Sequence, residues 1–266
     1  GNLVNIKKDS DRFTFHPSYF QLHFAAADEP RGDEKILRDV DSNVLTYFPG
    51  KGNRKSWRIP FRYSDDLVAE LLTDTLRREV TLIDMPITSD VKILRSVPVD
   101  SLLRVMMHDS DNFVAEQLLL QCAAMVSDTL QPEIAIRYAK KNFLSDLPDD
   151  PQWVDGSGLS RYNLFTPRSI VKLWDKIYKE VPQQRLFPLL ATGGKRGTIK
   201  NSYKAEKPYV YGKTGTLSNN HTLSGYLLTR NGRVLIFSMM NNNYIVPTTD
   251  VRKRMEKILY TIHDRF

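Results

Sequence analysis

Three short stretches of this 266-residue chain carry residue types that could do chemistry together. Lys213-Thr214-Gly215, followed by Thr216, sits on a segment whose composition predicts a strand leading by a short turn into a second strand. A lysine, a hydroxyl and exposed strand amides along one edge make a receptor for a carboxylate and for a developing oxyanion. Gly215 would let a ligand approach the backbone closely. The same residues also suit an edge strand with a solvated lysine. A tripeptide of common residues arises by chance in roughly one chain in twenty of this length, so this stretch decides nothing alone. Ser110-Asp111-Asn112 opens an expected amphipathic helix. A serine that relays protons and an asparagine that holds a substrate amide are useful two positions apart there, where both can face one cleft; plain N-capping by Ser110 or Asp109 is the alternative. Asp155-Gly156-Ser157-Gly158-Leu159-Ser160-Arg161-Tyr162-Asn163 is richer in small and turn-forming residues than an ordinary helix connection, and a structural turn accounts for it equally well.

The elements that must position these residues differ along the chain. Residues 1–62 alternate apolar and polar residues in short bursts, as in Leu3-Val4-Asn5-Ile6, Phe13-Thr14-Phe15, Tyr19-Phe20-Gln21-Leu22-His23-Phe24 and Trp57-Arg58-Ile59, which predicts mostly strands. Ser64 is a good N-cap for a helix carrying Leu67, Val68, Leu71 and Leu72 on one face and ending near Val80. Residues 100–181 read as four helices: 100–108, 110–127, 131–144 with Pro132 at an N-terminal position, and 166–181 capped by Thr166-Pro167. Three strands are expected near 210–217, 222–229 and 233–240, the last two joined by an Asn231-Gly232 turn, before a final helix over 249–263.

Composition excludes several classes. With 41% hydrophobic and 26% charged residues the chain should fold as a globular protein. The net charge of +7 would suit a polyanion, but the basic residues are dispersed and carry no nucleic-acid motif. A solvated basic surface is the expectation, with no nucleic-acid partner. The single cysteine, Cys122, lies in an apolar run and is expected in the core. Five scattered histidines offer no metal-ligand spacing. No stretch is long and apolar enough to span a membrane, and residues 1–7 lack signal-peptide character. A start at Gly1 running straight into strand-like alternation suggests a piece of something longer.

The order SDN, DGSGLSRxN, KTG resembles the D-alanyl-D-alanine carboxypeptidase/endopeptidase family, the low-molecular-mass class C penicillin-binding proteins, whose wider signature set is SxxK, SDN and KTG. The likeness runs from Ser96-Val97-Pro98 through Glu116, and from Gly212 through Tyr226 with the following hairpin and last helix. It implies an α+β fold: a penicillin-binding-protein/β-lactamase-like transpeptidase domain over 63–266, an antiparallel sheet with flanking helices and a helical subdomain. Part of a β-rich accessory domain would precede it over 1–62. It implies that Ser110 belongs to a proton relay and Asn112 bonds a substrate peptide carbonyl. Lys213 would stabilise the site electrostatically, Thr214 and Thr216 would hold a terminal carboxylate, and the Thr216 N–H would form one arm of an oxyanion hole. Gly215 falls within the same substrate-binding strand, while Asp155, Ser157 and Ser160 take a structural part. The implied partners are peptidoglycan stem peptides ending in D-Ala-D-Ala and β-lactam inhibitors, outside the cytoplasm, with no cofactor and no metal.

One part of the pattern is missing. The family's nucleophile is the serine of an SxxK tetrad, with the lysine as base. Ser89-Asp90-Val91-Lys92 precedes Ser110 too closely to leave room for the accessory region, and Ser169-Ile170-Val171-Lys172 follows it in the wrong order. The chain is therefore expected to be a C-terminal portion that is catalytically silent alone, completed by an N-terminal segment of the same protein. The family's sheet also takes strands from that segment, so the strand near 233–240 should lack a neighbour. The alternative is a penicillin-binding-like module that has lost its nucleophile and only binds peptidoglycan or a partner.

Overall fold

The computed structural model describes residues 2–29, 32–86, 92–93 and 95–266. Contacts divide the chain into two compact units, residues 1–92 and 93–266.

In the first unit, β1 (Leu3–Asp9) lies between β2 (Arg12–His16) and β6 (Ser56–Pro60), both antiparallel to it. A second sheet places β5 (Leu45–Phe48) between β3 (Phe24–Ala26) and β4 (Lys35–Arg38). Alternation along β1 turns Val4 and Ile6 inward, where they join Phe20, Ile36, Leu45 and Trp57 in one core. Helix α1 (Asp65–Leu76) starts where Ser64 Oγ accepts the Leu67 N–H, and Asp65 and Asp66 complement the dipole of its first turn. Leu67 and Leu71 pack into this same core. The compact unit therefore extends past 62 and takes α1 with the β-rich segment. Of the burst Tyr19–Phe24, expected as a strand, all but Phe24 falls in the 3-10 stretch Ser18–His23, and Phe24 begins β3. Pro17 offers no N–H to a ladder, and Tyr19 and His23, four apart, bring their rings to 4.8 Å.

The second unit is built on an antiparallel sheet in the order β10 (Val234–Asn242), β9 (Asn220–Leu228), β8 (Val210–Leu217), β7 (Ala191–Thr192). Apolar residues on both faces of β9 explain why the sheet is covered twice. His221, Leu223 and Leu227 share the face packed by Val251, Met255 and Leu259 of α7 (Thr248–Arg265). Tyr226 faces Trp174 of α5 (Pro167–Glu180) and Phe187 of α6 (Gln183–Leu189). The α5 helix is fastened to the strand by Trp174 Nε1 donating to Ser224 Oγ at 2.9 Å and by Tyr226 Oη donating to the Trp174 carbonyl at 2.8 Å. Helices α2 (Val99–His108), α3 (Asn112–Ala124) and α4 (Pro132–Asn142) complete the unit, with Leu119 and Ala123 of α3 packed on Ala135 and Ile136 of α4. Cys122 is exposed, contrary to its expected place in the core, because the buried stripe of α3 runs through Leu119 and Ala123 and leaves Cys122 off it. Among the described residues, β10 pairs with β9 on one side and with no strand on the other.

Candidate active site

The loop between α2 and α3 is three residues long, and its middle residue, Ser110, has a left-handed backbone with φ of 56°. That conformation costs a non-glycine residue about 1–3 kcal/mol and survives only where its surroundings impose it. The cap of α3 is Asp111, whose Oδ1 accepts the Val114 N–H at 2.9 Å. Neither Ser110 nor Asp109 fills that place; Asp109 closes α2 instead. With Asp111 as the cap, the Ser110 hydroxyl is released for another partner, and that partner comes from the sheet.

Lys213 Nζ donates to Ser110 Oγ at 2.6 Å and to the Thr214 carbonyl at 2.6 Å. Among the described residues no carboxylate pairs with Lys213. Burial accordingly pushes its amine below the usual lysine range, since nothing nearby offsets the lost hydration of the cation. A lysine in this state favours an incoming anion, because ion pairing would restore what burial removed.

Along β8 the edge opens at the same place. The short β7 pairs only Ala191 with Gly212 and Thr192 with Tyr211. From Lys213 to Leu217, β8 is bonded to β9 on one side and, among the described residues, to no strand on the other. The two threonine hydroxyls on this stretch are each anchored. Thr214 Oγ1 donates to Thr198 Oγ1 at 2.7 Å, and Thr216 Oγ1 lies 2.8 Å from His221 Nδ1 on β9. Thr198 sits in the 3-10 turn Gly197–Ile199. Neither Thr198 nor His221 was singled out by sequence reasoning. His221 is opposite Thr216 once the hairpin register is known, so the strand alternation could have found it; Thr198 carries no such signal.

The glycine-rich loop is a brace against α3. Asp155 accepts the N–H groups of Gly158 at 2.6 Å and Ser160 at 2.7 Å, and the Asn163 amide at 2.9 Å. Glu116 of α3 accepts the N–H groups of Gly156 at 3.2 Å and Ser157 at 3.0 Å. A Cβ at Gly156 would stand 2.7 Å from the Ala115 carbonyl oxygen, so this close approach requires glycine. Arg161 extends from the loop to the Ser218 carbonyl beyond β8 at 3.5 Å.

The structure thus joins Ser110 to Lys213 and places Thr214, Gly215 and Thr216 along one open strand edge. Asn112 is exposed at the first position of α3, two residues from Ser110, and makes no hydrogen bond to β8 among the described residues. The Ser169 tetrad is spent elsewhere. Ser169 is 1% exposed, its Oγ accepts the Asp149 N–H and donates to the Asp149 carbonyl, both at 3.1 Å, and Lys172 turns to Asp146. Ser89 lies outside the described residues. Among the described residues no helix is long and apolar enough to cross a membrane, and no group of three or more His, Cys, Asp or Glu is placed to hold a metal.

A model of the D-Ala-D-Ala carboxypeptidase 3 (S13) family matches residues 9–263. The carboxypeptidase DacB of Mycolicibacterium smegmatis is 29% identical over an alignment of 160 residues that covers 56% of this chain and 35% of that protein. The D-alanyl-D-alanine carboxypeptidase DacB of Haemophilus influenzae is 26% identical over 166 residues, 56% of this chain and 33% of that protein. The chain spans about a third of the length of the curated relatives it matches. Penicillin-binding protein 4 (dacB) of Haemophilus influenzae has the same fold, with a TM-score of 0.63 at 19% identity over 99% of this chain and 66% of that one. The same protein complexed with a β-lactam gives a TM-score of 0.56 at 19% identity, over 98% and 67%.

Proposed function

Since the chain belongs to the D-Ala-D-Ala carboxypeptidase 3 (S13) family, we propose that it supplies the proton-relay and carboxylate-binding half of a serine-type D-alanyl-D-alanine carboxypeptidase/endopeptidase site. The observation that carries this reading is the 2.6 Å bond between Lys213 and Ser110 beside a strand edge that no strand pairs among the described residues. The substrate would be a peptidoglycan stem peptide, met outside the cytoplasm. Its terminal carboxylate would lie against the hydroxyls of Thr214 and Thr216 and within the field of Lys213. Its backbone would run along the open edge of β8 at Gly215, with the exposed Asn112 amide bonding a peptide carbonyl.

In the proposed reaction a serine oxygen attacks the carbonyl of the D-Ala-D-Ala bond while its proton passes to a base. The oxyanion takes a hydrogen bond from the Thr216 N–H. Collapse breaks the C–N bond, and the departing D-alanine amine receives a proton through the Ser110 hydroxyl and the Lys213 ammonium. Water then hydrolyses the acyl ester and releases the serine. Ser110 and Lys213 relay protons in this scheme and do not attack. The attacking serine and its base are not among the described residues of the site, so they would come from another segment of the protein. That segment would also lie beside β10, and without it the 266 residues would be catalytically silent. We place part of a β-rich accessory domain in the first unit and part of the peptidase domain in the second.

Fluorescent penicillin should label the protein expressed with its upstream coding sequence and leave the 266-residue chain unlabelled. Calorimetry on the chain should still detect a peptide ending in D-Ala-D-Ala. Its affinity should weaken as pH rises through the lowered range of Lys213, where the neutral amine no longer attracts the carboxylate. A second reading, a module that binds without turnover, is favoured by the commitment of Ser169 to Asp149. Peptide binding with no penicillin label on the longer protein would select it.

A further inference from the structure

His221 has no place in the chemistry described above, yet among the described residues it is the one buried imidazole that reaches the open edge of β8. It is 3% exposed, it stands opposite Thr216 across the β8–β9 ladder, and its Nδ1 lies 2.8 Å from Thr216 Oγ1. Its own backbone is held in turn: the Asn241 side-chain amide of β10 donates to the His221 carbonyl at 3.3 Å and also contacts Met255 Sδ of α7 at 3.2 Å. Three elements thus set the position of one ring nitrogen behind one hydroxyl.

The consequence follows from counting protons. A threonine hydroxyl has one proton to donate. A hydroxyl that spends it on an internal acceptor can no longer give it to a ligand carboxylate. An imidazole that donates Nδ1–H to Oγ1 leaves the threonine proton free and holds the oxygen in one rotamer. Burial and the positive charge of Arg252 push the His221 pKa down to about 4, so near neutral pH the ring is uncharged and carries a single proton whose position is set by its hydrogen bonds.

We infer that His221 is a positioning residue for carboxylate recognition: it donates Nδ1–H to Thr216 Oγ1, fixing that hydroxyl at the β8 edge with its own proton directed to the terminal carboxylate of the bound peptide. This inference rests on the reading of β8 as a carboxylate site. It adds a specificity element behind the binding strand, since a hydroxyl proton aimed at an ionised carboxylate is worth more than one aimed at the neutral carbonyl of a capped terminus.

Calorimetry on the 266-residue chain tests it with two peptides, one ending in D-Ala-D-Ala carboxylate and one ending in the corresponding amide. His221→Leu is expected to weaken the carboxylate peptide about tenfold while leaving the amide peptide within twofold. His221→Asn, which restores an N–H donor on a shorter side chain, should recover most of the loss and guards against failure of the leucine variant to fold. Long-range proton–nitrogen NMR of the unaltered chain should show the Nδ1–H tautomer at His221. Equal loss of both peptides in His221→Leu, unchanged carboxylate affinity, or an Nε2–H tautomer would each overturn the role of His221 while the carboxylate site stands. If the unaltered chain binds neither peptide, the carboxylate site itself falls and the inference falls with it.

Discussion

Two serine–lysine pairs in the second unit use the same side chains to opposite ends. Ser169 and Lys172 are three residues apart on α5, but they do not serve one another. The serine hydroxyl bonds both backbone groups of Asp149, and the lysine sits 3.8 Å from Asp146 in a half-exposed ion pair. Ser110 and Lys213 are separated by most of the unit and meet at 2.6 Å. The first pair is engaged from within: the serine is bonded to the Asp149 backbone and the lysine lies beside the Asp146 carboxylate. The second has a serine with a strained backbone and a half-buried lysine that, among the described residues, has no carboxylate partner, and it stands beside the open strand edge. The proposed site rests on what folding leaves unsatisfied around Lys213.

That contrast can be broken by substitution, beginning where the effect is greatest. Lys213→Met should cut affinity for a D-Ala-D-Ala peptide about 10- to 100-fold, the worth of a charge-assisted hydrogen bond. Calorimetry reads it, and retained affinity would place the carboxylate elsewhere. Ser169→Ala should do the reverse, leaving peptide affinity unchanged but lowering stability by about 1 kcal/mol in denaturant unfolding, because the half-buried Asp149 N–H and carbonyl lose their partner. A loss of binding in this variant would return the Ser169 tetrad to consideration. Lys172→Met sharpens the comparison at its small end: an exposed ion pair at 3.8 Å should be worth no more than about 0.5 kcal/mol.

Much of the second unit could be read in advance. The strand over 210–217 was expected and forms as Val210–Leu217, because alternating burial and the KTG glycine mark it clearly. The helix over 166–181 forms as Pro167–Glu180 behind its Thr166 cap. Helix α6 passed unseen: seven residues between Pro182 and a strand are too few to show a helical period, and Pro188 inside it argues against one. Cys122 misled because apolar neighbours in sequence do not share one side of a helix. Around the site, the residue types at 110, 112 and 213–216 announced themselves, whereas the cap at Asp111, the Thr198 contact and the His221 contact did not.

The sequence by itself determined which residues belong to the family pattern and in what order, because motif spacing and strand alternation are local properties of the chain. It also determined that neither tetrad lies where the pattern puts its nucleophile. Only the tertiary structure decided which serine meets which lysine. A hydrogen bond across 103 positions depends on how β8 docks against the α2–α3 loop, and no local period encodes that docking. The same holds for the open edge at Lys213–Leu217, which exists because β7 pairs with only two residues of β8 and stops.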